Sequence, residues 1–231
     1  MSEVRCLVAI VTVFLACAAD GATLSETERQ LTEVVDSRQR EAMALLEQAV
    51  EINSGSMNLA GVKQVGQLFR DAFANLAFEV SWVNGAAFER AGHLVARHRG
   101  SGPHLLLIGH LDTVFEADSP FQRFERLDAE RAKGPGIIDM KGGNVIIVEA
   151  LTALKAVGAV AELQITVVMI GDEESTGHPL SEARRVLLEA ADDADVALGF
   201  EDGAGNPETA VIARRGYTGW RLTVAGTPAH S

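Results

Sequence analysis

Three apolar runs, Leu105 to Ile108, Leu163 to Ile170 and Val196 to Phe200, each stop abruptly at acidic residues or histidine. Continuous apolar runs of this length read as strands buried on both faces, the texture of a parallel sheet. Helical stretches separate them, so the pattern predicts an α/β fold: a mainly parallel sheet with helices on both faces. The carboxyl ends of such strands open onto one shared crevice. Polar residues placed there are brought together however far apart they lie in sequence.

Those residues are His110 and Asp112 in GHLDTVF, Glu173 and Glu174 in IGDEESTG, and Glu201 in GFEDG, joined by Asp139 in GIIDMKGG. Several carboxylates and an imidazole converging in one crevice repel each other and are costly to desolvate unless cations lie between them. A metal centre is the expected outcome, with zinc as the metal. In extended chain His110 and Asp112 point to the same side, which suits a histidine ligand whose second ring nitrogen is oriented by a carboxylate. Asp139 lies between glycines that permit tight bends and can bridge two cations, or can instead cap the following helix. Glu173 and Glu174 point in different directions, so one can hold a cation while the other moves protons. Asp172 and Asp202 compete for these roles, and Lys141 is expected to be solvated.

A helix is expected from Ser25 to about Ile52, opened by Ser25 with Glu28 three residues on, and an amphipathic one over Val62 to Leu76. Short strands follow at Phe78 to Val83 and His93 to His98, with turns at Asn84-Gly85 and at 100–103. Residues 118–136 read as loop, 143–157 and 180–191 as helix, and Thr209 to Ala213 as a strand. From Tyr217 the alternation of Trp220, Leu222 and Val224 with polar residues predicts a half-exposed strand opening a new unit. His93, His98, His104 and His178 read as surface or strand-end residues.

With 20 Lys and Arg against 32 Asp and Glu, the formal charge of −12 offers no basic surface for a nucleic acid. The apolar stretch from Cys6 to Ala19 is too short to span a bilayer and has the length of a signal-peptide core, so residues 1–22 are expected to direct export to the periplasm or beyond. No other membrane attachment is expected, since the sequence before Cys17 matches a lipid-anchor site only loosely. Both cysteines lie in this segment, which leaves the rest without thiol ligands, thiol nucleophiles or disulfides.

Taken together, HLD, GIIDMKGG, DEE and GFED resemble the dinuclear zinc exopeptidase and deacylase family of glutamate carboxypeptidase, acetylornithine deacetylase, succinyl-diaminopimelate desuccinylase and aminoacylase. The resemblance begins near Glu51, in EINSGSMNLAGV, and runs to the end. It implies two Zn²⁺ ions, with His110 on one, Asp139 bridging both, Glu174 on the other and Glu201 completing the first. Glu173 would then be the general base and Asp112 the residue that orients His110. Residues 23–214 would be the N-terminal part of the catalytic domain, and 215–231, GYTGWRLTVAGTPAHS with one residue before it, the start of an inserted α/β lid used for dimerisation. His230 matches a lid histidine that, in relatives, helps bind the substrate or stabilise the oxyanion, often across a dimer. The family places the rest of the lid and a further metal-binding histidine beyond this point, so residues 1–231 alone are expected to hold the second zinc weakly. Carboxypeptidase-type hydrolysis of peptides with a free C-terminal carboxylate is the expected activity. The alternatives are deacylation of N-acyl amino acids and a metal-binding protein without catalysis.

Overall fold

The computed structural model describes residues 23–203, 205, 209–213, 215–216 and 218–226. The chain begins with helices α1 (Glu26–Ser37), α2 (Gln39–Glu51) and α3 (Leu59–Asn75). Strands β1 (Glu79–Asn84), β2 (Gly92–His98) and β3 (His104–His110) follow, then a small hairpin of β4 (Glu125–Arg126) and β5 (Ala132–Lys133). Helix α4 (Gly142–Ala156), β6 (Gln164–Ile170), α5 (Leu180–Asp192) and β7 (Val196–Gly199) complete the order. Among the described residues no helix is long and apolar enough to cross a membrane.

Five strands form one mixed sheet in the order β1-β2-β6-β3-β7. β2 is antiparallel to both its neighbours, while β3 pairs in parallel with β6 and β7, so only β2 runs against the rest. The connection from β3 to β6 steps one way along the sheet and that from β6 to β7 steps back across β3. Right-handed crossovers in opposite directions place their helices on opposite faces, and α4 and α5 are so placed. A reversal of this kind opens a crevice at the carboxyl ends of the strands where it occurs, and β3, the middle strand of the parallel trio, ends there at His110.

The two faces are legible in the alternation along β2 and β6. Leu94, Ala96, Ile165, Val167 and Met169 join Phe69 and Phe73 of α3 and Ile147 and Leu151 of α4 in the larger core. Val95, Val168 and Ile170 point the other way, onto Val186 and Ala190 of α5. Phe69 and Phe73 are fully buried, which stabilises the fold by about 1.5–3 kcal/mol each relative to exposure.

Several expectations are corrected. The helix over 25–52 has the expected Ser25 capping box but breaks at Arg38, whose backbone (φ −102, ψ 6) is not helical. There the Arg38 guanidinium takes both carboxylate oxygens of Glu149 on α4, at 2.5 and 3.0 Å, a tertiary bond that local helix propensity cannot anticipate. The stretch 118–136 contains the β4–β5 hairpin, turned by Asp128 accepting from the amides of Glu130 and Arg131. Two-residue strands are too short to carry an alternating signal. Thr209 to Ala213 forms no strand, and neither do the described residues of 218–226. Trp220 and Val224 are 83% and 82% exposed, so the alternation has nothing to bury against among the described residues. Residues 1–22 and His230 lie outside the described residues.

Candidate metal centre

The parallel trio β6, β3 and β7 brings its carboxyl ends side by side, and the acidic residues lie just beyond them. His110 is 1% exposed. Its carbonyl accepts from Asn144 Nδ2 of α4 at 2.6 Å, and its Nδ1 lies 3.0 Å from the Asp112 main-chain oxygen. Donation from Nδ1–H to that carbonyl turns Nε2 toward Asp139 Oδ1, 2.9 Å away, and Glu201 Oε1, 3.6 Å away. Donor atoms of His110, Asp139 and Glu201 all lie within 4.8 Å of one another, and so do those of His110, Glu173 and Glu174. Two triplets of potential ligands therefore share one imidazole.

Asp139 projects from a distorted turn, Ile137–Lys141, in which it (φ −120, ψ 90) and Met140 leave helical geometry. It does not cap α4, which has no side-chain cap. The glycines around it allow close approach: a Cβ on Gly143 would stand 2.0 Å from the Phe200 carbonyl oxygen, and one on Gly109 would stand 2.2 Å from Asn144 Oδ1. Helix α4 thus begins in contact with the residue before Glu201, and its Asn144 sits against β3.

Asp112 has a different set of partners from the one expected. Its carboxylate is fully buried and lies 3.5 Å from His110 Nδ1. Its hydrogen bonds come from Ser56 Oγ at 2.6 Å and from the backbone amides of Glu173 at 3.0 Å and Glu174 at 3.1 Å. Asp112 therefore fixes the turn after β6 as well as flanking the imidazole. Burial alone would raise its carboxyl, but the adjacent His110 ring and its charge, together with the bonds from Ser56 and the Glu173 amide, hold it below its usual range.

The donor set fits a divalent cation. With Nδ1–H donated, a neutral His110 would aim the lone pair of Nε2 at carboxylate oxygens, an unfavourable contact unless a cation intervenes or the ring takes a proton. Glu174 Oε1 is buried without a hydrogen-bond partner among the described residues, a costly state that a metal bond relieves. Nitrogen and carboxylate oxygen are ligands zinc accepts. Without a cation, burial disfavours the His110 imidazolium, but Asp112, Glu201 and Asp139 outweigh it and lift the group to about 9. Burial first, then the Asp139 charge, pushes Glu174 up to about 7, and burial likewise raises Glu201.

The competing acidic residues separate clearly. Asp172 is buried against α5, accepting from Arg184 at 2.6 Å and the Gly177 amide at 2.9 Å, so its carboxylate is already satisfied. Asp202 is exposed. Lys141, expected in solvent, is 1% exposed and donates Nζ to the Ile52 carbonyl at 2.9 Å, and burial depresses it to about 8. Three other histidines are engaged elsewhere: His93 is buried between Gly171 and Ala183, His98 lies 3.0 Å from the Leu163 carbonyl, and His104 bonds Asp193 and Thr166 at the start of β3. Ser56, Asn144 and Arg184 carry no signal in the sequence that marks them out, although Ser56 lies within EINSGSMNLAGV, and Lys141 lies within GIIDMKGG.

Comparisons with known proteins agree with this architecture. Residues 106–214 match the family model described as peptidase family M20/M25/M40. Carboxypeptidase G2 of Pseudomonas sp. (strain RS-16) is 29% identical over 221 residues, 94% of this chain and 52% of that protein. Succinyl-diaminopimelate desuccinylase of Methylocella silvestris is 35% identical over 86 residues, 36% of this chain and 22% of that protein. The crystal structure of human carnosine dipeptidase 1 superposes with a TM-score of 0.63 at 18% identity, over 76% of this chain and 41% of that one, a likeness of fold. The chain thus spans about half the length of carboxypeptidase G2, and less of the desuccinylase.

Proposed function

We propose that this chain, whose residues 106–214 match the model of peptidase family M20/M25/M40, belongs to a zinc-dependent hydrolase of the carboxypeptidase type. Such an enzyme cleaves the amide bond of peptides that end in a free carboxylate. The observation that carries the reading is the meeting of His110 Nε2 with Asp139 and Glu201, beside a buried Glu174 oxygen that has no partner among the described residues. The name of carboxypeptidase G2 supports the substrate class.

His110, Asp139 and Glu201 would hold one zinc, and Asp139 and Glu174 a second. Bound zinc supplies polarisation of the amide carbonyl and acidification of water. Glu173 is exposed at the mouth of the same crevice and joined to it through its backbone amide on Asp112. Its carboxylate takes a proton from the attacking water and returns it to the amide nitrogen as the C–N bond breaks, leaving a carboxylic acid and a free amine. Asp112 keeps Glu173 and His110 in register. The reading extends to residues 1–22 as an export signal, residues 23–214 as the first part of the catalytic domain, and residues 215–231 as the opening of a dimerising lid that brings His230 to the substrate.

Deacylation of N-acyl amino acids uses the same geometry and is favoured by the similarity to a desuccinylase over 86 residues. Metal analysis of the full-length protein, combined with assays on dipeptides and on N-acetyl amino acids, tests both. The expected result is bound zinc whose removal by a chelator abolishes cleavage. Cleavage confined to N-acetyl amino acids would replace the peptidase reading by the deacylase one, and a protein with neither bound zinc nor cleavage would overturn both.

A further inference from the structure

We infer that a hollow beside the metal centre is a subsite for an apolar group of the substrate, an aliphatic or aromatic substituent flanking the scissile amide; this rests on the hydrolase reading above. The hollow has a volume of about 370 Å³, within the range of small-molecule sites. Asp139 and Glu174 are among the residues that line it, so the hollow borders two carboxylates of the metal centre. The remaining walls are largely apolar: Val114, Phe115, Phe121 and Ile138.

Two features distinguish this hollow from a surface dent. Val114 follows Asp112 by two residues and Ile138 immediately precedes Asp139, yet they are 62% and 68% exposed. Large aliphatic side chains left in water at the rim of a polar centre mark a surface that a ligand covers. The walls are also fixed before any ligand arrives. Phe115 and Phe121 meet edge to face with centroids 5.1 Å apart. Asn53 Nδ2 donates to the Phe115 carbonyl at 2.9 Å and to Gln122 Oε1 at 2.8 Å, and Gln122 Nε2 donates to the Glu116 and Ser119 carbonyls at 2.8 and 2.9 Å. Among the described residues that line the hollow, the one cationic side chain, Lys133, is paired with Glu125 at 2.9 Å and adds no net charge. A cavity lined by carboxylates that can hold metal and by braced apolar walls fits an amide carrying an apolar substituent and offers no partner to a charged one.

The test uses the full-length protein loaded with Zn²⁺ and two substrate series. One is an amino acid carrying acetyl, butanoyl, hexanoyl or octanoyl groups, and the other a set of dipeptides in which each position in turn is Gly, Leu, Phe or Glu. Burial in the hollow should raise kcat/KM by about fourfold per added methylene until the space is filled, or raise it comparably for Leu and Phe over Gly and Glu at one position. Phe121→Ala and Val114→Asp should each reduce that preference ratio by about tenfold. Cleavage in both series with no apolar preference, or a preference that neither variant alters, would overturn the subsite and leave the hydrolase reading standing. Should nothing be cleaved, the hydrolase reading fails instead. Calorimetric binding of the octanoyl against the acetyl compound then decides the subsite: equal affinities overturn it, and a tighter octanoyl complex weakened by Phe121→Ala sustains it.

Discussion

The main-chain amide of Glu173 donates to Asp112 Oδ1 at 3.0 Å, so the turn after β6 hangs on a residue two positions beyond β3. The adjacent amide of Glu174 and the hydroxyl of Ser56 close on the other oxygen. Three donors converging on one buried carboxylate make Asp112 the joint between two strand ends.

Asp112→Ala should therefore cost more than an average core substitution. A buried donor left without an acceptor costs about 1–3 kcal/mol, so with three affected the loss in urea unfolding should reach about 3 kcal/mol or more. Ser56→Ala removes a single bond to a charged acceptor and should cost about 1.5–3 kcal/mol. A Ser56→Ala loss below 0.5 kcal/mol on the same scale would show that solvent replaces the hydroxyl.

Glu173→Ala should leave zinc content nearly unchanged and lower kcat by a factor on the order of 10² or more. Stoichiometry by metal analysis and turnover on a cleaved substrate are the two readouts. Loss of zinc with an unchanged rate per bound metal would reassign Glu173 as a ligand.

Gly143→Ala separates local propensity from packing. Alanine is the better helix former by about 1 kcal/mol, and Gly143 lies in α4. Its new Cβ would stand 2.0 Å from a backbone carbonyl oxygen, that of Phe200, and overpacking of this kind costs about 1–3 kcal/mol. Packing should win. Thermal unfolding should shift down, and zinc affinity should fall too, because Phe200 carries Glu201 with it.

Acid should weaken the fold through His93. Burial lowers its pKa below the ordinary 6.5, in line with a neutral ring that accepts from the Gly171 amide at 3.2 Å and donates to the Ala183 carbonyl at 2.9 Å. The unfolded chain takes up a proton here at a higher pH than the folded one. The contribution is thus complete above 6.5 and declines as pH falls below it. Unfolding free energy measured from pH 7.5 to 5.5 should drop in the parent protein and drop less in His93→Gln. Parallel pH profiles for the two would place the acid sensitivity elsewhere.

The sequence disclosed what is written locally. The apolar runs at 105–108, 163–170 and 196–200 identify β3, β6 and β7, and the residues at their ends include all of those that meet around His110 except Asp139. Ser56 stayed hidden because its partner is 56 residues away, and a serine in a glycine turn looks like any other. Lys141 misled for a related reason: burial of an ammonium depends on a distant carbonyl, Ile52, that no neighbouring residue announces. The break at Arg38 reflects a bond to Glu149, 111 residues further on. Alternation at Trp220, Leu222 and Val224 records a capacity to be a strand. Pairing is a property of the partner, which alternation does not specify.

The parallel adjacency of β6, β3 and β7 also governs when a metal ion can act. His110 and Asp139 are 29 residues apart in the chain, and the Glu174 amide reaches an acceptor 62 residues before it. An extended or collapsed chain holds no two of these strand-end clusters near each other, and closing such loops costs entropy before any contact repays it. An ion held by the proposed ligands would thus bind only after the sheet has assembled, and nearly all of its binding free energy would fall on the native state. Added zinc should slow unfolding while leaving the folding rate almost untouched, making the metal a clamp on the finished molecule rather than a seed for it.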